Sequence, residues 1–304
     1  MEILYRWIDG INDVLWSYLL VALLLGCAVW FTLRRRGVQF RMLGEMVRVL
    51  GESAGSGPRG ERHVSSFQAF AVSLASRVGT GNLAGVATAI AVGGSGAVFW
   101  MWVVALLGML TKCVEVTLGQ YYRVKGEDGV YYGGPMYYIE RGMGRKWKPL
   151  AVIFSVTIIL GGLGTAAFAQ PYTMSTAVQN SLGIPAWITT VAAAVICGVV
   201  LLGGVKSIGG FCEKLTPAMC LIYVVGVMGV IIINLVHVPD AFAAIFRYAF
   251  APMPAVGGLA GSTVALALRQ GAARGTFSNE AGCGSSPITH ATAITDHPFK
   301  EGMY

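Results

Sequence analysis

A four-residue interruption in an apolar stretch is where this sequence could carry chemistry. The stretch runs from Phe67 to Val92, and Gly79-Thr80-Gly81-Asn82 divides it into two pieces that are each too short to cross a bilayer. Such a break leaves carbonyls free at the end of the first piece and N–H groups free at the start of the second. Free N–H groups at a positive helix end suit a carboxylate, and free carbonyls suit Na⁺ or an ammonium group.

Two other interpretations of the interruption are weaker. A plain glycine kink would serve close helix packing, but Asn82 argues against it because an amide at mid-membrane is costly without partners. The same residues fit the G-x-G-x-x-A pattern of a dinucleotide site, which requires a preceding strand and an acidic residue about 20 positions further on. Both flanks read as apolar helix, and no Asp or Glu lies between Glu61 and Glu115. A Rossmann site is therefore excluded.

Polar groups at three other places are further candidates. Gly93-Gly94-Ser95-Gly96 matches the surroundings of the serine in rhomboid-type proteases, but the four histidines fall in loops or at span edges, so a turn is favoured. Gln170 lies deep in an apolar stretch and meets either a substrate or a neighbouring helix. Residues 257–263, with Gly257, Gly258, Gly261, Ser262 and Thr263, form a second interruption, which would enclose a site if it faces the first.

The elements that must position these groups are membrane helices. The chain has 304 residues, of which 55% are hydrophobic and only 12% charged, and its mean hydropathy is +0.64; a soluble domain has about 25% charged residues. Apolar stretches of about 20 residues predict an all-α polytopic membrane protein. Seven spans are expected, at 14–33, 67–92, 97–118, 150–175, 186–205, 215–235 and 251–268.

The basic residues predict the orientation. Eighteen of the 22 Lys and Arg residues fall in four loops that lie inside if the N-terminus is outside, and only Arg6 and Arg247 fall in outer loops. This bias accounts for the net charge of +7, so no nucleic-acid partner is expected. The six cysteines form no CxxC pair, and neither a disulfide framework nor a zinc site is indicated.

Charged residues near the spans have more than one interpretation. Arg77 ends the first half of the interrupted stretch and could reach a substrate carboxylate, pair with a partner carboxylate or face a water-filled vestibule. Lys112 and Glu115 have the i, i+3 spacing of a structural ion pair. The polar segment 274–287 is expected to be a gate, a helix junction or a plain loop on the inner face, with Arg274 and Glu280 able to pair across it.

Four motifs, in this order, resemble the alanine or glycine:cation symporter family. They are Val78-Gly79-Thr80-Gly81-Asn82-Leu83-Ala84-Gly85-Val86-Ala87, the Gly-Ala-Val-Phe-Trp-Met-Trp run at 96–102, Gly133-Gly134-Pro135-Met136-Tyr137-Tyr138 and Phe277-Ser278-Asn279-Glu280-Ala281-Gly282. The resemblance implies Na⁺-coupled uptake of alanine or glycine across the plasma membrane, with no enzyme activity and no cofactor besides the coupling ion. It also implies an inverted-repeat fold of the leucine-transporter type, preceded by one extra N-terminal helix.

The resemblance assigns roles residue by residue. Thr80 and Gly81 would bind the substrate carboxylate, and Asn82 the neighbouring cation or substrate. The carbonyls of Ala75 and Val78 would belong to a second Na⁺ site. The pocket would be completed by Gln170, Gly261, Ser262 and Thr263. Arg77 holds a position whose carbonyl could also bind a cation, although its charge disfavours that site.

A single transporter domain over residues 1–304 is implied, with the extra helix at 14–33, a first repeat at 67–235 and the incomplete start of a second at 240–304. Family members continue through further spans, so a truncated product is expected, without the eighth core helix that supplies hydroxyl ligands to the second Na⁺ site. The alternatives are a transporter of the same fold that carries another small amino acid or uses H⁺, an intramembrane serine protease acting through Ser95, and an inactive fragment.

Overall fold

The computed structural model describes residues 2–15, 19–53, 64–254 and 261–304, and this part of the chain is almost entirely helical. In chain order the helices are α1 (Glu2–Val14), α2 (Leu20–Arg34), α3 (Val38–Arg41), α4 (Leu43–Ser53), α5 (Ser66–Arg77), α6 (Thr80–Gly93), α7 (Gly96–Tyr121), α8 (Pro135–Gly142), α9 (Lys148–Gly161), α10 (Ala167–Leu182), α11 (Ala186–Leu202), α12 (Gly204–Ile233), α13 (Val238–Phe250), α14 (Val264–Asn279), α15 (Ser285–Ala291) and α16 (Pro298–Gly302). Strands β1 (Val124–Lys125) and β2 (Tyr131–Tyr132) pair antiparallel, with Val124 opposite Tyr132.

The chain forms two compact units, each assembled from separate stretches of sequence. The first unit consists of Met1–Met42, Gly85–Lys112 and Gly226–Cys283. The second unit consists of Leu43–Ala84, Cys113–Val225 and Gly284–Tyr304. The predicted division into a first repeat and the start of a second stays a prediction.

Three helical stretches of the described chain are long and apolar enough to cross a membrane. They are Gly96–Tyr121, Arg145–Leu182 and Gly204–Ile233, and α2, α6 and α11 are shorter apolar helices. The second stretch joins α9 to α10 through a π-helical segment, Gly162–Ala166. Large apolar side chains face outward from these helices, with Leu202 91% exposed and Ile222 74% exposed. A surface of this kind is stable in lipid rather than in water, and the prediction of an all-α membrane protein is confirmed.

The last predicted span differs from the structure, and part of the first lies outside the described residues. Within the described residues, Glu2–Val14 form the amphipathic helix α1 and Leu20–Arg34 form α2, whereas residues 16–18 of the first predicted span lie outside the described residues. The seventh span, predicted at 251–268, is wrong in its bounds. Residues 251–254 and 261–263 are not helical, and the helix starts at Val264 and continues to Asn279.

Small residues explain why α14 continues past its apolar start. Gly271 and Gly275 form a G-x-x-x-G spacing, which lets two helix backbones approach closely. A Cβ on Gly271 would lie 2.5 Å from the carbonyl oxygen of Ala97 and 2.6 Å from Cβ of Trp100. Gly275 faces the next turn of α7 at Met101. The sequence predicted that the span ends where the polar residues of α14 begin. The helix continues past that point because its glycine face packs on α7 within the first unit.

In the second unit, two side chains at and just after the C-terminal end of α7 donate hydrogen bonds to the C-terminal end of α15. Gln120 Nε2 donates to the carbonyls of His290 and Ala293, and Arg123 donates to the carbonyls of Ala291 and Ala293. The Nδ1 atom of His290 lies 2.7 Å from Oε1 of Glu301 on α16, and both side chains are buried. These contacts satisfy the last carbonyls of α15, which have no partner in their own helix, and fix its position.

Candidate substrate and cation site

The interrupted second span is confirmed: α5 ends at Arg77 and α6 begins at Thr80. A capping box starts α5, in which the Ser65 hydroxyl accepts from the N–H of Gln68 and the Gln68 side chain accepts from the N–H of Ser65, both at 3.1 Å. With 12 and 14 residues, neither helix can cross a bilayer alone. The second half starts three residues earlier than the sequence indicated, so Gly81 and Asn82 lie in the first turn of α6, where N–H groups lack helical acceptors.

Gln170 of α10 bonds to the start of α6. Its Oε1 atom accepts from the backbone N–H of Gly81 at 2.9 Å and from the Thr80 hydroxyl at 3.2 Å. The sequence predicts either a substrate or a neighbouring helix as the partner of Gln170, and in the structure Gln170 bonds to a neighbouring helix. A Cβ on Gly79 would lie 2.6 Å from Nε2 of Gln170, so the glycine permits this close approach. The amide oxygen of Gln170 therefore occupies the position that the sequence predicts for the substrate carboxylate.

Asn82 has one satisfied and one unsatisfied side-chain atom. Its Nδ2 donates to the carbonyl of Arg77, while its Oδ1 is buried and has no hydrogen-bond partner among the described residues. The carbonyls of Ala75 and Val78 also receive no hydrogen bond from the described chain. A buried acceptor without a partner is costly, and a bound cation would satisfy it. Oxygen atoms of this kind form the Na⁺ sites at broken transporter helices.

Arg77 contacts hydroxyl groups beside the break. Its Nη2 atom donates to the hydroxyl of Ser73 at 2.7 Å and to that of Ser286, on α15, at 2.8 Å. Ser286 belongs to the polar segment 274–287, but it lies 209 residues from Arg77 and no spacing pattern signals their contact.

The Gly261-Ser262-Thr263 segment belongs to the first unit, and its part in the pocket stays a prediction. Ser262 pairs with Met253 through backbone bonds of 2.8 and 2.9 Å, and the Thr263 hydroxyl caps the N-terminus of α14. Residues 255–260, with the predicted Gly257 and Gly258 of this interruption, lie outside the described residues.

Ser95 is in a turn, as favoured by the sequence. Gly94 has a φ of 74°, and its carbonyl accepts from the N–H of Ala97 between α6 and α7. The Ser95 hydroxyl donates to the carbonyl of Ala244 at 3.3 Å, an acceptor that cannot activate a nucleophile as a histidine does.

The polar segment 274–287 is a helix junction. It is helical up to Asn279, Glu280 takes a left-handed conformation with a φ of 54°, and α15 begins at Ser285. Lys112 Nζ donates to the Glu280 carbonyl at 3.0 Å and lies 3.9 Å from its carboxylate, a contact that the sequence analysis did not foresee. Within the described residues, no group of three or more His, Cys, Asp or Glu side chains could hold a metal ion.

Comparisons with known proteins agree with the resemblance. Over 304 residues the chain is 42% identical to the probable sodium/glutamine symporter GlnT of Bacillus subtilis, covering 100% of this chain and 62% of that protein. It is 42% identical to an uncharacterized transporter of Haemophilus influenzae, covering 97% and 64% of the two chains. It is 37% identical to the sodium/alanine symporter AgcS of Methanococcus maripaludis, covering 97% and 65%.

The chain thus spans somewhat less than two thirds of the length of these relatives. All three relatives are named as transporters or symporters. Because the sodium:alanine symporter family matches every residue from 1 to 304, the chain belongs to that family.

Proposed function

We propose that the chain binds and transports a small zwitterionic amino acid, alanine or glycine, together with Na⁺ across the plasma membrane. The observation that carries the proposal is the break between α5 and α6. There, the N–H of Gly81 donates to the Gln170 side chain, an acceptor that a carboxylate can replace, while the Oδ1 of Asn82 lacks a partner among the described residues. A hydrogen-bond donor for a carboxylate and an oxygen ligand for a cation on adjacent residues suit a zwitterion accompanied by Na⁺.

The roles follow from this chemistry. Thr80 and Gly81 bind the substrate carboxylate after Gln170 turns away from them, and the freed Gln170 amide then donates to that carboxylate. Asn82 binds Na⁺ through Oδ1, and the carbonyls of Ala75 and Val78 bind a second Na⁺.

The transport cycle is alternating access in a fold of the leucine-transporter type, with the N-terminus outside. Rocking of the repeats exposes the site to each side in turn, and the Na⁺ gradient supplies the driving force. Since relatives are named as a probable sodium/glutamine symporter and as a putative sodium/proton-dependent alanine carrier, glutamine and H⁺ are the first alternatives to alanine and Na⁺.

The test is uptake of labelled amino acid into proteoliposomes that contain the 304-residue chain. We expect alanine or glycine to accumulate under an inward Na⁺ gradient and not under an inward K⁺ gradient. An inward H⁺ gradient without Na⁺, and labelled glutamine, test the two alternatives. No uptake under any gradient would identify the chain as an inactive fragment.

Gln170 provides a prediction about the carboxylate site. In Gln170→Glu, a carboxylate would accept the Gly81 N–H and Thr80 hydroxyl bonds more strongly than the amide does and would repel the substrate carboxylate. We expect the KM for alanine to rise at least about tenfold, which corresponds to about 1.4 kcal/mol. The measurement is initial uptake rate against alanine concentration at saturating Na⁺.

The matched control is Gln179→Glu, which adds the same charge to an exposed position on the same helix and should leave KM unchanged. An unchanged KM in Gln170→Glu would mean that the substrate carboxylate binds elsewhere.

A further inference from the structure

Arg77 occupies an unusual position beside the proposed site. It is the last residue of α5, and its guanidinium reaches two serines that are almost fully buried, Ser73 at 4% and Ser286 at 2% exposed. The two hydroxyl oxygens lie 3.2 Å apart, and one nitrogen of Arg77 donates to both, at 2.7 and 2.8 Å. The guanidinium thus joins the end of α5 to the first turn of α15.

The backbone of the same residue faces the proposed cation site. The Arg77 carbonyl accepts a hydrogen bond from Nδ2 of Asn82, and this bond orients the amide so that Oδ1 is left for a cation. A single residue therefore contacts α15 through its side chain and Asn82 through its backbone. Gln120 and Arg123 bond to the other end of α15 and hold that helix in place. The bond between Arg77 and Ser286 can therefore hold the end of α5 in place against α15.

A simpler role is compensation of the helix dipole, since a basic residue in the last turn of a helix is favourable. That role requires only a positive charge near the α5 terminus. It does not require a hydroxyl on α15, and it gives Ser286 no function. The two roles therefore differ in what they predict for Ser286.

We propose that Arg77 is a positioning residue for Na⁺ binding: its bonds to Ser73 and Ser286 hold the end of α5 against α15, so that the Arg77 carbonyl and Asn82 keep the geometry that binds the cation. The proposal rests on the proposed Na⁺-coupled transport. Its consequence is that a hydroxyl on α15, which contacts neither ion nor substrate, sets the affinity for Na⁺.

The first experiment compares Ser286→Ala with Ser286→Thr in Na⁺-driven alanine uptake. Ser286→Ala keeps the charge of Arg77 but removes one of the two serine hydroxyls that accept from it, and we expect the Na⁺ concentration for half-maximal uptake to rise about fivefold while the maximal rate changes less than about twofold. Ser286→Thr retains the hydroxyl and should behave as the unaltered protein. The control is Ser76→Ala, because the Ser76 hydroxyl donates to the Ser73 carbonyl of its own helix.

The second experiment is a double-mutant cycle. If the hydroxyl of Ser286 acts through the guanidinium, Ser286→Ala should cause no further loss of Na⁺ affinity in an Arg77→Met background. Independent, multiplying effects of the two substitutions would overturn the proposal, as would equal Na⁺ affinity in Ser286→Ala and the unaltered protein.

Hydrogen exchange separates this proposal from the proposed function. If the unaltered protein shows no Na⁺-dependent uptake, the proposed function fails. The positional role is then tested by backbone amide exchange of residues 79–82, which should be faster in Ser286→Ala than in Ser286→Thr. Equal exchange in the two variants would overturn the link between α15 and the break.

Discussion

Replacing Asn82 by alanine is expected to reduce Na⁺-driven alanine uptake about 100-fold at sub-saturating Na⁺. The substitution removes the buried Oδ1 atom, which has no partner in the described chain and is the proposed cation ligand, and the Nδ2 donor to the Arg77 carbonyl. Loss of an interaction with a charged group costs about 1.5–3 kcal/mol, and each 1.4 kcal/mol corresponds to a factor of ten. The measurement is uptake rate against Na⁺ concentration in proteoliposomes.

The matched control is Asn234→Ala. Asn234 Nδ2 donates to the Val230 carbonyl one turn earlier, and the residue is exposed, so its loss should not change Na⁺ dependence. Asn82→Asp is informative because it keeps two oxygens and adds a negative charge that attracts the cation. We expect it to retain more Na⁺ affinity than Asn82→Ala. If both Asn82 variants transport as the unaltered protein does, the cation is bound by other groups.

The broken span was predictable because its signal is local. Its sequence Gly79-Thr80-Gly81-Asn82 stands between two apolar pieces of less than membrane-spanning length, and no long-range information is needed to locate the interruption. The resemblance to known symporters rests on the same local motifs, and the family was shown by comparison over residues 1–304.

Partners across the fold were not predictable in the same way. Whether Gln170 turns toward a substrate or a helix depends on the rotation of α10, which follows the π-helical segment Gly162–Ala166 and contains Pro171. The predicted end of the seventh span was wrong because the polar residues Arg269 and Gln270 lower the local hydropathy and so indicate a loop. The segment stays helical because the glycine face of α14 is buried against α7. Contacts such as Arg77 with Ser286 depend on tertiary packing, which residue spacing does not encode.

The glycine face of α14 provides the second large expected effect, on folding rather than on transport. In Gly271→Ala, the new Cβ would lie 2.5 Å from a backbone oxygen of α7 and 2.6 Å from Cβ of Trp100. Neither neighbour is the flexible end of a side chain, so α7 and α14 must separate. Overpacking of this kind costs about 1–3 kcal/mol, sometimes more, and we expect a loss of about 3 kcal/mol in the free energy of unfolding.

Substitutions of two other glycines are expected to have smaller effects, so that the three variants can be ranked by their loss of stability. A Cβ on Gly275 would be no closer than 3.1 Å to any neighbour, and one on Gly229, in α12, would meet nothing within 4 Å. The loss of stability should therefore be largest for Gly271→Ala, smaller for Gly275→Ala and close to zero for Gly229→Ala, where alanine also favours the helix. Unfolding in mixed micelles, followed by circular dichroism against the fraction of SDS, measures all three. Equal stability of Gly271→Ala and Gly229→Ala would show that α14 does not pack against α7 through this face, because only that contact distinguishes two glycines that both lie inside helices.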